Sequence, residues 1–291
     1  MLPLGDFKIT RIEEMALAEP TALFAEWTPE IGKQNPWFDQ RYYDEEAQTF
    51  VISVHSWLVK TPNQTILIDT SGGNGKERPA SPRFANLNTP FLERLQAAGA
   101  TPEDVDLVLL THLHVDHVGW NTRLVDGRWV PTFPNATYVM PWVEVEWRDP
   151  KRGAADKPPA THFTFNDSIQ PILDSGKAKL VEGNETVADG VDLMPIPGHA
   201  PGQMAVRLRS RGEEALFIAD AMHQPIQVHY PEWNSKFCED QELARKTRAT
   251  LLAYCADHNS LICPGHFGAP YCGYVRRSGS GYVFVPSEQT P

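Results

Sequence analysis

Apolar residues fall in short runs separated by short polar loops, which predicts strands and helices in turn. Val51 to Val59 and Thr65 to Ile68 are two such runs, split by the turn signal Pro62-Asn63, and they predict a hairpin. The second run leads into Asp69-Thr70-Ser71-Gly72-Gly73. Thr89-Pro90 predicts a helix start, with a cap residue and Pro at the first position, and Gly99 predicts its end. Thr101-Pro102-Glu103-Asp104 predicts another short helical turn. Val105 to Leu110 is a compact apolar run of the kind buried on both faces of a sheet. Further strands are expected at Tyr138 to Met140, Val191 to Ile196, Met204 to Leu208, Ala215 to Ile218 and Leu261 to Cys263. A helix is expected from about Asp240 to His258, with Leu243, Thr247, Leu251 and Tyr254 on its buried face and Asn259 as its C-cap. Residues 20–43 and 142–171 read as irregular insertions. Strands first, then strands alternating with helices, imply a layered α/β protein with mixed sheets. With no repeat and no long linker, one domain over residues 1–291 is expected.

Composition narrows the classes. Hydrophobic residues make up 41% and charged residues 22% of the 291, the balance of an ordinary globular protein rather than a disordered one. A net charge of -11 speaks against a basic face for nucleic acid or anionic lipid. No apolar stretch approaches the roughly 18 residues needed to span a bilayer. The N-terminus lacks a basic region followed by an apolar run, so a cytoplasmic protein is expected. The cysteines, Cys238, Cys255, Cys263 and Cys272, have no Cys-x-x-Cys spacing and read as reduced structural thiols, with a disulfide pair as the alternative.

One segment changes the picture. Thr111-His112-Leu113-His114-Val115-Asp116-His117-Val118-Gly119-Trp120 follows the buried strand directly, where α/β proteins present their ligand-binding loops. Imidazole and carboxylate suit zinc and its borderline neighbours. A loop leaving a strand can point His112 and His114 to one side, while Asp116 and His117, past the turn, address a second ion. Four ligands cannot complete two shells, and the chain offers more. His199 lies in a Gly/Pro turn after Val191 to Ile196, Asp220 ends the strand Ala215 to Ile218, and His266 follows Leu261-Ile262-Cys263-Pro264-Gly265. Each sits at the C-terminal end of an expected strand, so one loop-bearing edge could collect them all. His55, His162, His229 and His258 read as structural or exposed instead.

The pattern His112-x-His114-x-Asp116-His117, then His199, Asp220 and His266, resembles the metallo-β-lactamase fold superfamily, over roughly Val51 to His266. The resemblance implies an αβ/βα four-layer sandwich, two mixed sheets face to face with helices outside. It implies that His112, His114 and His199 bind a first metal, that Asp116, His117 and His266 bind a second, and that Asp220 bridges them. Asp69 resembles the family's early aspartate, which supports the metal loop. With Asp220 present and no cysteine ligand, the chain departs from the antibiotic-destroying lactamases. It looks more like the acyl-homoserine-lactone lactonases and the methyl-parathion-hydrolase-like enzymes. In the lactonases a tyrosine three residues past the bridging aspartate assists catalysis; here that position is His223, a departure that bears on the substrate.

The implied chemistry is hydrolysis. Two divalent ions, zinc first and iron, manganese or cobalt as alternatives, would hold a bridging hydroxide that attacks a lactone or carboxylic ester. Asp116 is the expected proton shuttle, and His223 the expected polar partner for a substrate oxygen. Trp27, Trp37, Phe38, Trp57, Trp120, Trp142 and Trp147 either line an apolar pocket or pack in the core. Phosphotriester or phosphodiester hydrolysis is the runner-up; glyoxalase-like thioesterase, di-iron redox and non-catalytic scaffold readings lie further away. The expected partner is a small ester or lactone, with no nucleic acid and no membrane, and a homodimer remains open.

Overall fold

The computed structural model describes residues 1–291 and contains two large mixed β-sheets with flanking helices. The first sheet is formed by β1 (Leu2–Leu4), β2 (Phe7–Pro20), β3 (Tyr43–Asp44), β4 (Thr49–Lys60), β5 (Thr65–Ile68) and β6 (Leu107–Leu109). After a separate ribbon of β7 (Thr122–Val125) and β8 (Arg128–Pro131), it gains β9 (Thr137–Pro141) and β10 (Ala178–Val181). Its order is β1-β2-β4-β5-β6-β9-β10, with β3 on β4. The second sheet runs in sequence order through β11 (Glu185–Ala188), β12 (Val191–Pro195), β13 (Met204–Ser210), β14 (Glu213–Ala219), β15 (Leu261–Pro264), β16 (Gly273–Ser278) and β17 (Gly281–Pro286). No helix is long and apolar enough to cross a membrane.

The chain divides into two compact units. One comprises Asp6–Met15 and Val54–Glu185; the other comprises Met1–Gly5, Ala16–Ser53 and Thr186–Pro291. They are called here the 54–185 unit and the 186–291 unit.

In the 54–185 unit the predicted hairpin forms, with Trp57 opposite Ile68 and Lys60 opposite Thr65. β5, β6 and β9 then pair in parallel, Ile68 beside Leu109 and Leu109 beside Val139. Parallel strands covered on both faces need continuous apolar runs. Leu67, Val108, Leu109 and Tyr138 are fully buried accordingly, in a core that also takes Phe91, Leu95, Phe133 and Phe165. Two expectations shift. The helix after Thr89 starts at Phe91 and ends at Ala97, and Thr89 does not cap it: its hydroxyl turns to Glu14 and Asn74 instead. Residues 142–171 are more helical than expected, with Trp142–Arg148 as a helix and a π-helical turn at Phe165–Ile169 running into Gln170–Asp174. Pro171 sits in the first turn of that last helix, where its missing N–H costs nothing, so it opens the element rather than breaking it.

In the 186–291 unit the strands from β12 to β17 pair antiparallel with one exception. β14 and β15 run in parallel, joined by the helix Gln241–His258, and Ala219 lies beside Pro264 at their C-terminal ends. That helix starts on Asp240, whose side chain accepts from Leu243 N, and ends on Asn259 in the left-handed conformation, as predicted. Its buried stripe is Ala244, Arg248, Leu251, Leu252 and Cys255, whereas Leu243 is exposed. The stripe centres on Arg248 because its guanidinium is satisfied internally, by the carbonyls of Ala221 (2.9 Å), Pro231 (2.6 Å) and Trp233 (2.7 Å) and by Asn234 Oδ1 (3.1 Å). Trp27, Phe38, Tyr43 and Phe50 form an aromatic core with Ile226 and Trp233. These rings pack on one another, with Phe38 and Tyr43 also lining a cavity of about 600 Å³; Trp142 and Trp147 are exposed. All four cysteines are free and buried.

Candidate metal centre

In the 54–185 unit β6 delivers the chain into Thr111-His112-Leu113-His114-Val115-Asp116-His117, as the sequence indicated. What fixes that loop is Asp69, at the end of β5. Its backbone N–H donates to Leu109 O (2.9 Å). One carboxylate oxygen accepts from Thr111 N (2.8 Å) and the other meets His117 Nδ1 (2.8 Å). Thr111 Oγ1, held by the same carboxylate (2.8 Å), lies 3.1 Å from His112 Nδ1. His112 Nε2 lies 3.1 Å from His114 Nδ1, and the His112 and His117 rings are 4.1 Å apart. Asp116 Oδ1 is 3.9 Å from His117 Nε2. The loop therefore brings its four predicted ligands together, with His112 and His117 buried and His114 and Asp116 half-buried.

Sequence reasoning missed one support. Glu144, fully buried on the helix Trp142–Arg148, accepts from Leu113 N (3.2 Å) and from Arg148 Nε (3.0 Å). The Glu-x-x-x-Arg spacing was visible, but it sat in a segment read as irregular.

In the 186–291 unit three strand ends converge. The parallel register of β14 and β15 sends Asp220 and Gly265-His266 out side by side. Ala219 takes a positive φ of 42°, the sharp turn that throws Asp220 off its strand. His199 comes from the turn after β12. Gly198 has φ 132°, and a Cβ there would lie 2.4 Å from Ala244 Cα, so the turn fits against the long helix only with glycine. Glu239 N donates to His199 O (3.0 Å), Asp240 N to Gly198 O (2.9 Å) and Thr247 Oγ1 to Pro197 O (2.6 Å). The start of the helix is thus stitched to the His199 turn.

Asp220 Oδ2 is the focus. It lies 3.3 Å from His199 Nε2, 3.3 Å from His223 Nε2 and 3.1 Å from His266 Nε2. Asp220, His223 and His266 each offer a ligand atom within 4.8 Å of the others. The opposite nitrogens are held from behind: His266 Nδ1 donates to Ser53 O (2.8 Å), and His199 Nδ1 faces Cys238 Sγ (4.0 Å), a thiol whose pKa burial pushes up. His223 is fixed through its backbone N–H to Gln227 Oε1 (2.6 Å) and stands beside the exposed ring of Phe237, centroids 6.1 Å apart.

This donor set suits a cation. A histidine that binds metal through one nitrogen almost always gives the other to a carboxylate or carbonyl. His117 does so with Asp69, and His266 with Ser53 O, which leaves Nε2 as the lone-pair nitrogen in each. Of the histidines read as structural, His162 contacts Ala154 O (3.0 Å), His229 stacks on Trp37 (4.2 Å) and His258 contacts Tyr254 O (2.9 Å).

The family model of the metallo-beta-lactamase superfamily matches residues 49–266. The N-acyl homoserine lactonase AiiB of Agrobacterium fabrum (strain C58) is 23% identical over 301 residues, covering 97% of this chain and 98% of its own. The N-acyl homoserine lactonase AttM of Rhizobium radiobacter is 26% identical, covering 75% of this chain and 82% of its own. Among solved structures, hydrolase AbOPH of the beta lactamase superfamily superposes with a TM-score of 0.83 at 27% identity, covering 100% of this chain and 97% of that one. AidC, a dizinc quorum-quenching lactonase with a bound product, superposes with a TM-score of 0.75 at 22% identity over the same shares.

Proposed function

Because the chain belongs to the metallo-β-lactamase superfamily, we propose that it is a metal-dependent hydrolase that opens a lactone ring, with N-acyl homoserine lactones the first substrates to test. The observation that carries this reading is the donor chemistry of the two loop sets, backed by full-length relatives that are themselves lactonases. In this reading His112, His114 and His199 would hold one divalent ion and Asp116, His117 and His266 a second, with Asp220 as a further carboxylate ligand. Zinc is the first choice, in keeping with the dizinc AidC. The proposal takes residues 1–291 as one functional domain of a cytoplasmic protein acting on a small molecule.

Divalent ions held there would polarise the ring carbonyl and lower the pKa of water into the neutral range. The remaining work falls to side chains. Asp116, half-buried beside His117, takes the proton of the attacking water and returns it to the ring oxygen that leaves as an alcohol. Asp69 keeps His117 in the tautomer that presents Nε2. His223 donates a hydrogen bond to a substrate oxygen, and Phe237 supplies an apolar wall at its side.

The test is a metal analysis of protein purified without chelator, followed by a panel of lactones, aryl esters and phosphotriesters, with Asp116→Ala as control. We expect two ions per chain, lactone turnover, and a loss on the order of 10²–10⁴ in the control. Phosphotriester turnover with inert lactones would overturn the substrate assignment. Stoichiometric iron with no hydrolysis would overturn the reaction class.

A further inference from the structure

Glu14 lies on β2, upstream of the residues that the family model matches, and is 2% exposed. Its carboxylate gathers four donors: Gly72 N (2.5 Å), Gly73 N (3.2 Å), Thr89 Oγ1 (3.1 Å) and Trp120 Nε1 (2.7 Å). Arg94 pins the same stretch of β2 by donating to the carbonyls of Glu13 and Glu14, both at 2.8 Å. Two of the four donors follow Asp69 in the chain, and the fourth ends the metal loop.

Those two segments are zipped together by their backbones. Thr70 N donates to His117 O (2.7 Å), Gly119 N to Ser71 O (2.6 Å) and Trp120 N to Thr70 O (2.8 Å). The approach is so close that a Cβ on Gly119 would collide with Gly72 O, and one on Gly73 would lie 2.5 Å from Gly119 C. Asp69 and Ser71 both adopt left-handed backbone, φ 55° and 46°, a region uncommon outside glycine. Such conformations persist only where the surroundings over-determine them.

We propose that Glu14 is a positioning residue of the candidate metal centre: by drawing donors from both sides of the zipper it holds Asp69 in its left-handed conformation and so orients His117. This rests on the reading of His117 as a metal ligand. All four groups that Glu14 meets are donors, so an amide of the same shape would set its own NH₂ against at least one of them.

Glu14→Gln is therefore the variant to make, with Leu95→Ala, a cavity in the same core, as a control for general destabilisation. The first readout is the Nδ1–H resonance of His117 in the folded, metal-free protein, shifted downfield by its bond to Asp69. We expect it to move or broaden in Glu14→Gln and to stay in place in Leu95→Ala. The second is zinc affinity by chelator competition, with about tenfold weaker binding in Glu14→Gln and none lost in Leu95→Ala. An unmoved resonance with unchanged affinity overturns the proposal, as does equal weakening in both variants. A wild-type protein that holds no metal would sink the proposed function, while the resonance would still decide the role of Glu14. Should Glu14→Gln fail to fold, Trp120→Phe removes one donor and keeps the stack on Phe91 (5.4 Å); it should shift the resonance in the same direction by less, and no shift overturns the proposal.

Discussion

The two units present their candidate ligands in opposite ways. In the 54–185 unit four candidate ligands follow one another on a single loop, and a neighbouring carboxylate, Asp69, orients it. In the 186–291 unit His199, Asp220 and His266 come from three strand ends, brought level by the parallel register of β14 and β15 and by a helix that presses on the His199 turn. The first arrangement is local to one loop, held directly by the carboxylates of Asp69 and Glu144. The second is assembled, so residues that touch no ligand decide whether it forms.

The largest break in that contrast should come from Arg248→Ala. It removes the donor from three carbonyls and Asn234 and leaves a cavity under the helix, at a cost of about 3–5 kcal/mol in urea unfolding. Metal binding should fall in step with folding. If stability drops while the affinity of the folded fraction is untouched, the 186–291 ligands are less dependent on their scaffold than the contrast claims.

Asp69→Asn should do the reverse. The amide keeps the shape but cannot accept from both Thr111 and His117 as a carboxylate does, so metal affinity should fall about 10–100-fold with little change in thermal stability. Equal loss of stability and affinity would erase the difference between the units.

A pH series sharpens the comparison further, because the 54–185 unit buries Lys76 and Arg78 and the 186–291 unit buries Arg248. Burial lowers Arg248 only to about 10, so it stays charged through neutral pH. Burial lowers Lys76 from 10.5 to about 7, despite Asp167 Oδ1 at 3.5 Å and the Trp129 ring below it. Below that value Lys76 is charged in both states and the full cost of burying the charge is present. Between about 7 and 10.5 the unfolded chain binds more protons, so stability should rise with pH through that window. From pH 7 to 9 the gain should be about 1–2 kcal/mol in the wild type and absent in Lys76→Met, measured by denaturant unfolding.

The smallest effect expected is that of Cys238→Ser. The hydroxyl still faces His199 Nδ1 but is shorter, so zinc affinity should change by no more than about threefold. A larger drop would mean that the thiol sets the His199 ring more firmly than its 4.0 Å distance implies.

What was legible in the sequence follows the same division. The loop 112–117, the strands on either side of it and the caps of the long helix could be read because their signals lie within a few residues of one another. β2 could not: its buried residues run Phe7, Ile9, Ile12, Glu14 and Glu19, and the steps of three and five break the alternation that marks a strand. The buried face of the helix Gln241–His258 was misplaced because Arg248 looks like a solvent residue until its carbonyl partners, 14 to 27 positions away, are known. Glu144 and Cys238 were missed for the same reason. Their roles exist only against neighbours distant in the chain.

The 186–291 unit is also discontinuous, and that affects how the chain is made. Phe24, Trp27, Phe38 and Phe50 find their cover in Ile226 and Trp233, which leave the ribosome long after them. At about 5–20 residues per second, those aromatic rings wait roughly 10–40 s before their partners arrive. Until then those rings can shield only one another, so the stretch is exposed to intermolecular association during synthesis.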